Sequence, residues 1–137
     1  MSTVAVNHIE GQGTPNSITV RGENVASTNL QQGLAKVWNN FDGTATDAAS
    51  RDSFNVSGMT DNATGDYTTA FTNNIANTDY CHLVHATVAS YYTQYLANSF
   101  AKATGSYREE QDSFDGASST VNRDHTHCNV GIFGDLA

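Results

Sequence analysis

The side chains of this chain that could do chemistry are five histidines, two cysteines and a scatter of acids. His82 and His85 lie in the run CHLVH. A spacing of three puts them on opposite faces of a strand, which is poor for sharing one metal, so a structural role is expected for both. The run DHTHC is better placed. His125 and His127 are two apart, on one face of a strand, with Cys128 on the other. In a trimer two such residues per chain would bring imidazoles around an axis, and transition metals accept imidazole readily. A surface pair is the commoner origin of this spacing, and no metal ligand is assigned. His8 is isolated. Cys81 and Cys128 are expected to be buried, reduced thiols, since free cysteine behaves as a small hydrophobe and nothing indicates an oxidising compartment.

Catalytic patterns are sparse. There is no G-x-S-x-G elbow for a nucleophilic serine. The GQG at Gly11–Gly13 is too short for a dinucleotide loop and no helix follows it. The acids of REEQD and FDG could serve a glycosidase, which needs two carboxyls facing one bond, but acids this dispersed read as solvated surface. The chain is therefore expected not to be an enzyme and to carry no cofactor. Glycosylation sequons at Asn55 and Asn62 matter only on a secretory route. The start, MSTVAVNHIEGQG, has no basic region followed by a long apolar one, so no signal peptide is expected. No apolar run approaches the roughly 20 residues of a membrane span.

Charge narrows the partners. Six Lys and Arg stand against fourteen Asp and Glu, a formal net charge of −8. A basic footprint for nucleic acid is absent, and an acidic surface does not favour anionic lipid. At 137 residues the chain is one domain with a short extension. Only 15% of it is charged and there is a single proline, Pro15, so its polarity comes from Asn, Thr, Ser, Gln and Gly. Disordered chains combine low hydrophobicity with high charge or proline. This one reads as folded and β-rich.

The elements that must position these groups begin with two short strands. Val4 and Val6 alternate, as do Ile18 and Val20, around the turn-rich EGQGTPN. Alone they would bury little and need another surface. In STNLQQGLAKVW the spacing changes: Leu30, Leu34, Val37 and Trp38 form one stripe of a helix, with Ser27, Thr28 or Asn29 as N-cap. Such a helix is too short to stand alone, and Gly33 permits close approach of another backbone. It packs either on its own subunit or on copies of itself around a symmetry axis. In the second case Leu30, Leu34, Val37 and Trp38 are the trimer interface. Residues 1–38 are thus an attachment and trimerisation segment, and residues 39–137 a β domain.

In that domain Phe54 and Val56 alternate with polar neighbours, as do Tyr67, Thr69 and Phe71, and TDNATGD joins the two runs. A hairpin is expected, with Phe54, Val56, Tyr67 and Phe71 in one core. DYCHLVHATVASYYTQYL reads as one or two strands. GSYREEQDSFDGASSTVNRD reads as a long polar loop with one strand at most. HCNVGIFGDLA is a final strand with Cys128, Val130 and Ile132 on one side. Short strands separated by turns indicate a mainly β fold, a β-sandwich with jelly-roll connectivity among its forms.

The stretch from Asn29 to Val84 resembles a module of tailed-bacteriophage virion proteins, the fibres and related appendages of marine phages. The residues that carry the resemblance are GLAKVW at Gly33–Trp38, NFDGT at Asn40–Thr44, RDSFNVSGMTDNATGDYT at Arg51–Thr68 and ANTDY at Ala76–Tyr80. The opening VAVNHIEG and the closing VGIFGDLA are similar to the ends of such proteins. The resemblance implies a structural protein of the virion, assembled in the host cytoplasm as an intertwined homotrimer. Its expected partners are itself, other tail or capsid proteins, and a host-surface glycan or protein. Alternatives are a capsid decoration or head-fibre protein that stabilises the shell and, more remotely, a glycan-active enzyme. No catalytic residue carries over. Residues 91–124 are least like the pattern and rich in Tyr, Ser, Gln and Asp. Loops on rigid scaffolds commonly carry recognition, so a partner-facing surface is expected there, with Tyr107 and Phe114 as contacts.

Overall fold

The computed structural model describes residues 3–12, 18–21, 25–87, 97–114 and 120–137. The chain divides into two compact units, Met1–Leu34 and Ala35–Ala137. The smaller unit holds a three-residue antiparallel pair, β1 (Thr19–Arg21) with β2 (Ser27–Asn29), followed by a single helical turn, α1 (Leu30–Gly33). Asn29 caps that turn, its side-chain oxygen accepting from the Gln32 N–H at 3.1 Å. The expected strand at Val4 and Val6 is not formed. The partner of β1 is instead β2, in residues read above as the start of a helix.

The helical stripe is corrected too. The helix ends at Gly33, and Leu34 follows in an extended conformation. Val37 and Trp38 belong to β3 (Val37–Asp42), where burial alternates strictly. A β-branched residue followed by an aromatic suits a pleated surface, and strand pairing on both sides outweighs one further helical turn. Val37 is fully buried in its own chain's core, whereas Trp38 points the other way.

The larger unit is mainly β, with antiparallel strands in two open sheets. One has the order β4-β3-β11-β7, where β4 is Ala49–Phe54, β7 Cys81–Thr87 and β11 His127–Phe133. The other has the order β10-β9-β6-β5, with β8 on the far edge of β9. Here β5 is Val56–Ala63, β6 Asp66–Phe71, β8 Ala97–Lys102, β9 Ser106–Phe114 and β10 Thr120–Asn122. Both sheets contribute to one core. Val37 and Phe41 of β3 and Cys128, Val130 and Ile132 of β11 cluster with Tyr67 and Phe71 of β6 and Tyr107 of β9. The Phe41 and Tyr67 rings meet edge-on, 5.1 Å between centroids. Cys128, Val130 and Ile132 share a face, as their alternation predicts.

The expected hairpin is present but shorter in its loop: β5 runs on to Ala63, and Thr64–Gly65 turn the chain into β6. Gly65 takes a φ of 70° and lies so near the Gln111 and Arg123 backbones that a Cβ would collide with both. Tyr67 and Phe71 are buried, Val56 is half-buried, and Phe54 is exposed. The reason is Asn55. Its φ of 60° bends the chain between β4 and β5, so Phe54 ends one sheet and Val56 begins the other. The stretch read as a polar loop with one strand at most holds more strand than that: residues 106–114 form β9, which pairs with β6, β8 and β10. Tyr107, Glu109 and Gln111 face inward and are buried, while Arg108, Glu110 and Asp112 are half-buried. Among the described residues no helix is long and apolar enough to cross a membrane.

Candidate functional site

Strand register assembles a row that the linear sequence scatters. On the four-stranded sheet Phe54 pairs with Trp38, Trp38 with Gly131, and Gly131 with Leu83. The side chains alternate, so the row lies on the face away from the core. Trp38 is 38%, Phe54 52% and Leu83 60% exposed. Isolated exposed apolar residues are ordinary, but a contiguous run of them across a sheet marks an interaction surface.

Gly131 sits in the middle of this row and of a central strand. Its φ is not positive, and a Cβ placed on it would meet only the Phe133 ring, at an ordinary 3.8 Å. Neither backbone conformation nor packing within the chain requires glycine there. A glycine inside a strand weakens it and often marks a place where another molecule's backbone or a ligand comes close. The missing side chain leaves a shallow depression between β7 and β11, bordered by Leu83, His85, Asn129 and Gly131.

The next outward row is polar. Asp52 pairs with Asn40, Asn40 with Asn129, and Asn129 with His85. The Asn40 amide donates to the Asn129 side-chain oxygen at 2.7 Å, tying β3 to β11 on the outer face. Beyond it Arg51 forms an ion pair with Asp42 and also donates to the Phe41 carbonyl. The Thr44 hydrogen bonds above all, and this ion pair with them, hold the Asp42 carboxyl below its ordinary range. An apolar stripe bordered by amides, with Arg51 compensating Asp42 and Asp52 the one acid left over among the charges named, resembles the core and rim of a protein interface. It is also a nearly uncharged area on a chain of net charge −8.

The groups singled out for chemistry fall elsewhere. His82 faces inward, its ring 5.2 Å from that of Tyr107, and burial lowers its pKa. His85 faces outward on the polar row, so the two lie on opposite faces as expected. His125 and His127 do not share a face. His125 is fully buried ahead of β11, with its pKa lowered by burial, and His127 is exposed at the first position of the strand. The strand begins at His127, as read for HCNVGIFGDLA, so His125 lies outside it. Among the described residues no group of three His, Cys, Asp or Glu is arranged around a metal position. Cys128 is buried, and its thiol is pushed up to about 11, chiefly by burial, which keeps it from acting as a thiolate. Cys81, expected buried, is exposed on edge strand β7.

Tyr107 is 1% exposed and cannot be a partner contact. Phe114 ends β9 opposite Thr120, and its side chain lies outside the described residues. So do residues 91–96 and 115–119 of the expected recognition region. The sequon amides are engaged: Asn55 donates to the Lys36 and Asn73 carbonyls, and Asn62 to Asp66 and Thr68. Leu30 is half-buried and Leu34 exposed in the smaller unit. Of the four expected interface residues, Trp38 is the one in the exposed row. Phe54, Leu83 and Gly131 escaped sequence reasoning because strand order decides who their neighbours are. A glycine amid the alternation of HCNVGIF was the available signal.

No family model matches this chain, and comparisons with curated proteins and with solved structures found no match either.

Proposed function

We propose that this chain is a structural subunit of a tailed-bacteriophage virion. In this reading it is a tail-fibre-like appendage protein that assembles as a homotrimer, mounts on the particle and contacts the host surface through a glycan or protein. Its two sheets pack as a β-sandwich, and its work is binding rather than catalysis. The observation that carries the reading is the row Phe54–Trp38–Gly131–Leu83 on an uncovered sheet face. Copies of an acidic chain repel one another, and this face is where they can meet with little charge between them. The resemblance of Gly33–Tyr80 to appendage proteins supports the same assignment.

Gly131→Val provides the test, because a β-branched side chain favours a strand and the site has room for a first carbon. Light scattering should give the wild-type protein about three times its chain mass. Gly131→Val should keep the wild-type melting behaviour of the isolated chain and lose the assembly. A monomeric wild-type protein at micromolar concentration would overturn the trimer, and a trimeric Gly131→Val protein would overturn this face as its interface.

The second reading, a capsid decoration or head-fibre protein, has its own support. Val4, Val6 and Ile9 are exposed in a segment without secondary structure, as suits an arm that lies along another protein. Electron microscopy of labelled particles separates tail from capsid.

A further inference from the structure

The core holds an acid that neither assembly nor host contact uses. Glu109 is 1% exposed, at the centre of β9. The Gln111 amide donates to its Oε1 at 2.9 Å, and the Tyr107 hydroxyl lies beside the same carboxyl. Gln111 is in turn held from the opposite sheet: the Cys128 thiol of β11 donates to its Oε1 at 3.2 Å. A polar chain thus runs Cys128, Gln111, Glu109 through the space between the sheets. All of its donors are neutral. Among the described residues no cation pairs with Glu109.

The surrounding charges are engaged elsewhere or oppose ionisation. On β6, Asp66 is paired with Arg108, and Tyr67, which pairs with Glu109 across the strands, points its hydroxyl to Asp124, with the Gly43 carbonyl also in reach. Lys102 of β8 donates to the Tyr80 carbonyl. On β3 the nearest titrating group is Asp42, bound to Arg51. On β7, the His82 ring lies tilted against Tyr107, and burial lowers its pKa. β10 carries no charge. An isolated buried carboxylate is costly to maintain; the Gln111 and Tyr107 hydrogen bonds favour the charged form, but burial outweighs them.

We infer that Glu109 is a proton-binding site built into the core, which the folded chain holds as the neutral acid and whose ionisation, by leaving an unpaired charge buried between the sheets, loosens them. This is a pH response of the fold that goes beyond the assembly function proposed above. Burial pushes the carboxyl from 4.5 up to about 7. A raised acid makes the folded chain bind a proton that the unfolded chain releases. Its stabilisation is fully present below 4.5 and is lost as pH rises to about 7. The unfolding equilibrium constant should rise roughly 300-fold across that interval from this group alone. The lowered His82 and His125 act in the opposite direction, so the comparison must isolate Glu109.

The experiment pairs wild type with Glu109→Gln, which keeps shape and cannot titrate. Urea midpoints from pH 4.5 to 8 should fall with rising pH in wild type relative to Glu109→Gln, with the difference saturating above pH 7. Carbon-13 NMR of the glutamate carboxyls in native wild-type protein should show one titrating near neutrality and absent from Glu109→Gln. If every glutamate of the folded protein titrates in the ordinary carboxylate range, the inference is overturned, whether or not Glu109→Gln folds. Parallel pH profiles of the two proteins would overturn it as well.

Discussion

Asn55 should be among the most sensitive positions in the chain, although it is only half-buried. Its φ of 60° is a left-handed conformation that asparagine tolerates and most side chains do not. Its amide nitrogen donates to the Lys36 and Asn73 carbonyls, both at 3.0 Å. Its side-chain oxygen accepts from the Asn73 N–H at 2.7 Å and from the Asn73 amide at 3.0 Å. One residue thereby ties together the entry to β3, the bend between the sheets and the exit from β6. Replacing it with alanine removes these hydrogen bonds, together worth about 2 kcal/mol for a half-exposed group. It also imposes a left-handed backbone on a side chain that resists it, at about 1 kcal/mol more. The sum of about 3 kcal/mol should lower the melting midpoint by roughly 10 °C. Asn55→Gly loses the hydrogen bonds but relieves the backbone, and should recover about 1 kcal/mol. Asn55→Asp sets a carboxylate against two carbonyl oxygens, so its defect should shrink as pH falls and the acid is protonated. Urea and thermal unfolding of the three variants provide the measurement. A cost below 1 kcal/mol for Asn55→Ala, or Gly falling below Ala, would refute the argument.

Two further outcomes are expected. Phe71→Ala, in the core, should cost roughly 3–5 kcal/mol, whereas Phe54→Ala should cost less than about 1 kcal/mol in the isolated chain and weaken its assembly; equal losses in urea would place both residues in one core after all. A thiol reagent should label Cys81 at once in the native protein and Cys128 only on unfolding. Because Cys81 lies on the outer face two residues from Leu83, assembly through that face should slow its labelling, and labelling that is independent of protein concentration would count against that interface.

The parts of this protein legible in its sequence are those governed by neighbours along the chain. Alternation placed Tyr67, Thr69 and Phe71 on one face and Cys128, Val130 and Ile132 on another, because a strand has a period of two wherever it sits. Asn29 was readable as a cap because the helix start is local chemistry. Opposite faces for His82 and His85 followed from the same period. Tertiary structure decided what depended on partners. GLAKVW could continue a helix or enter a strand, and the choice fell to β11 and β4, which pair with β3 on either side. Residues 106–114 are polar at almost every position and lie in a stretch read as a long polar loop with one strand at most. They form a central strand paired with β6, β8 and β10, with Gln111 bonded to both Glu109 and Cys128 inside the core, an arrangement that hydropathy cannot register. Phe54 and Val56 looked alike, and Asn55, by turning the chain at a positive φ, sent them to different sheets. The exposed row of Phe54, Trp38, Gly131 and Leu83 was hidden for the same reason: four residues spread from position 38 to position 131 become neighbours only once strand order and register are set.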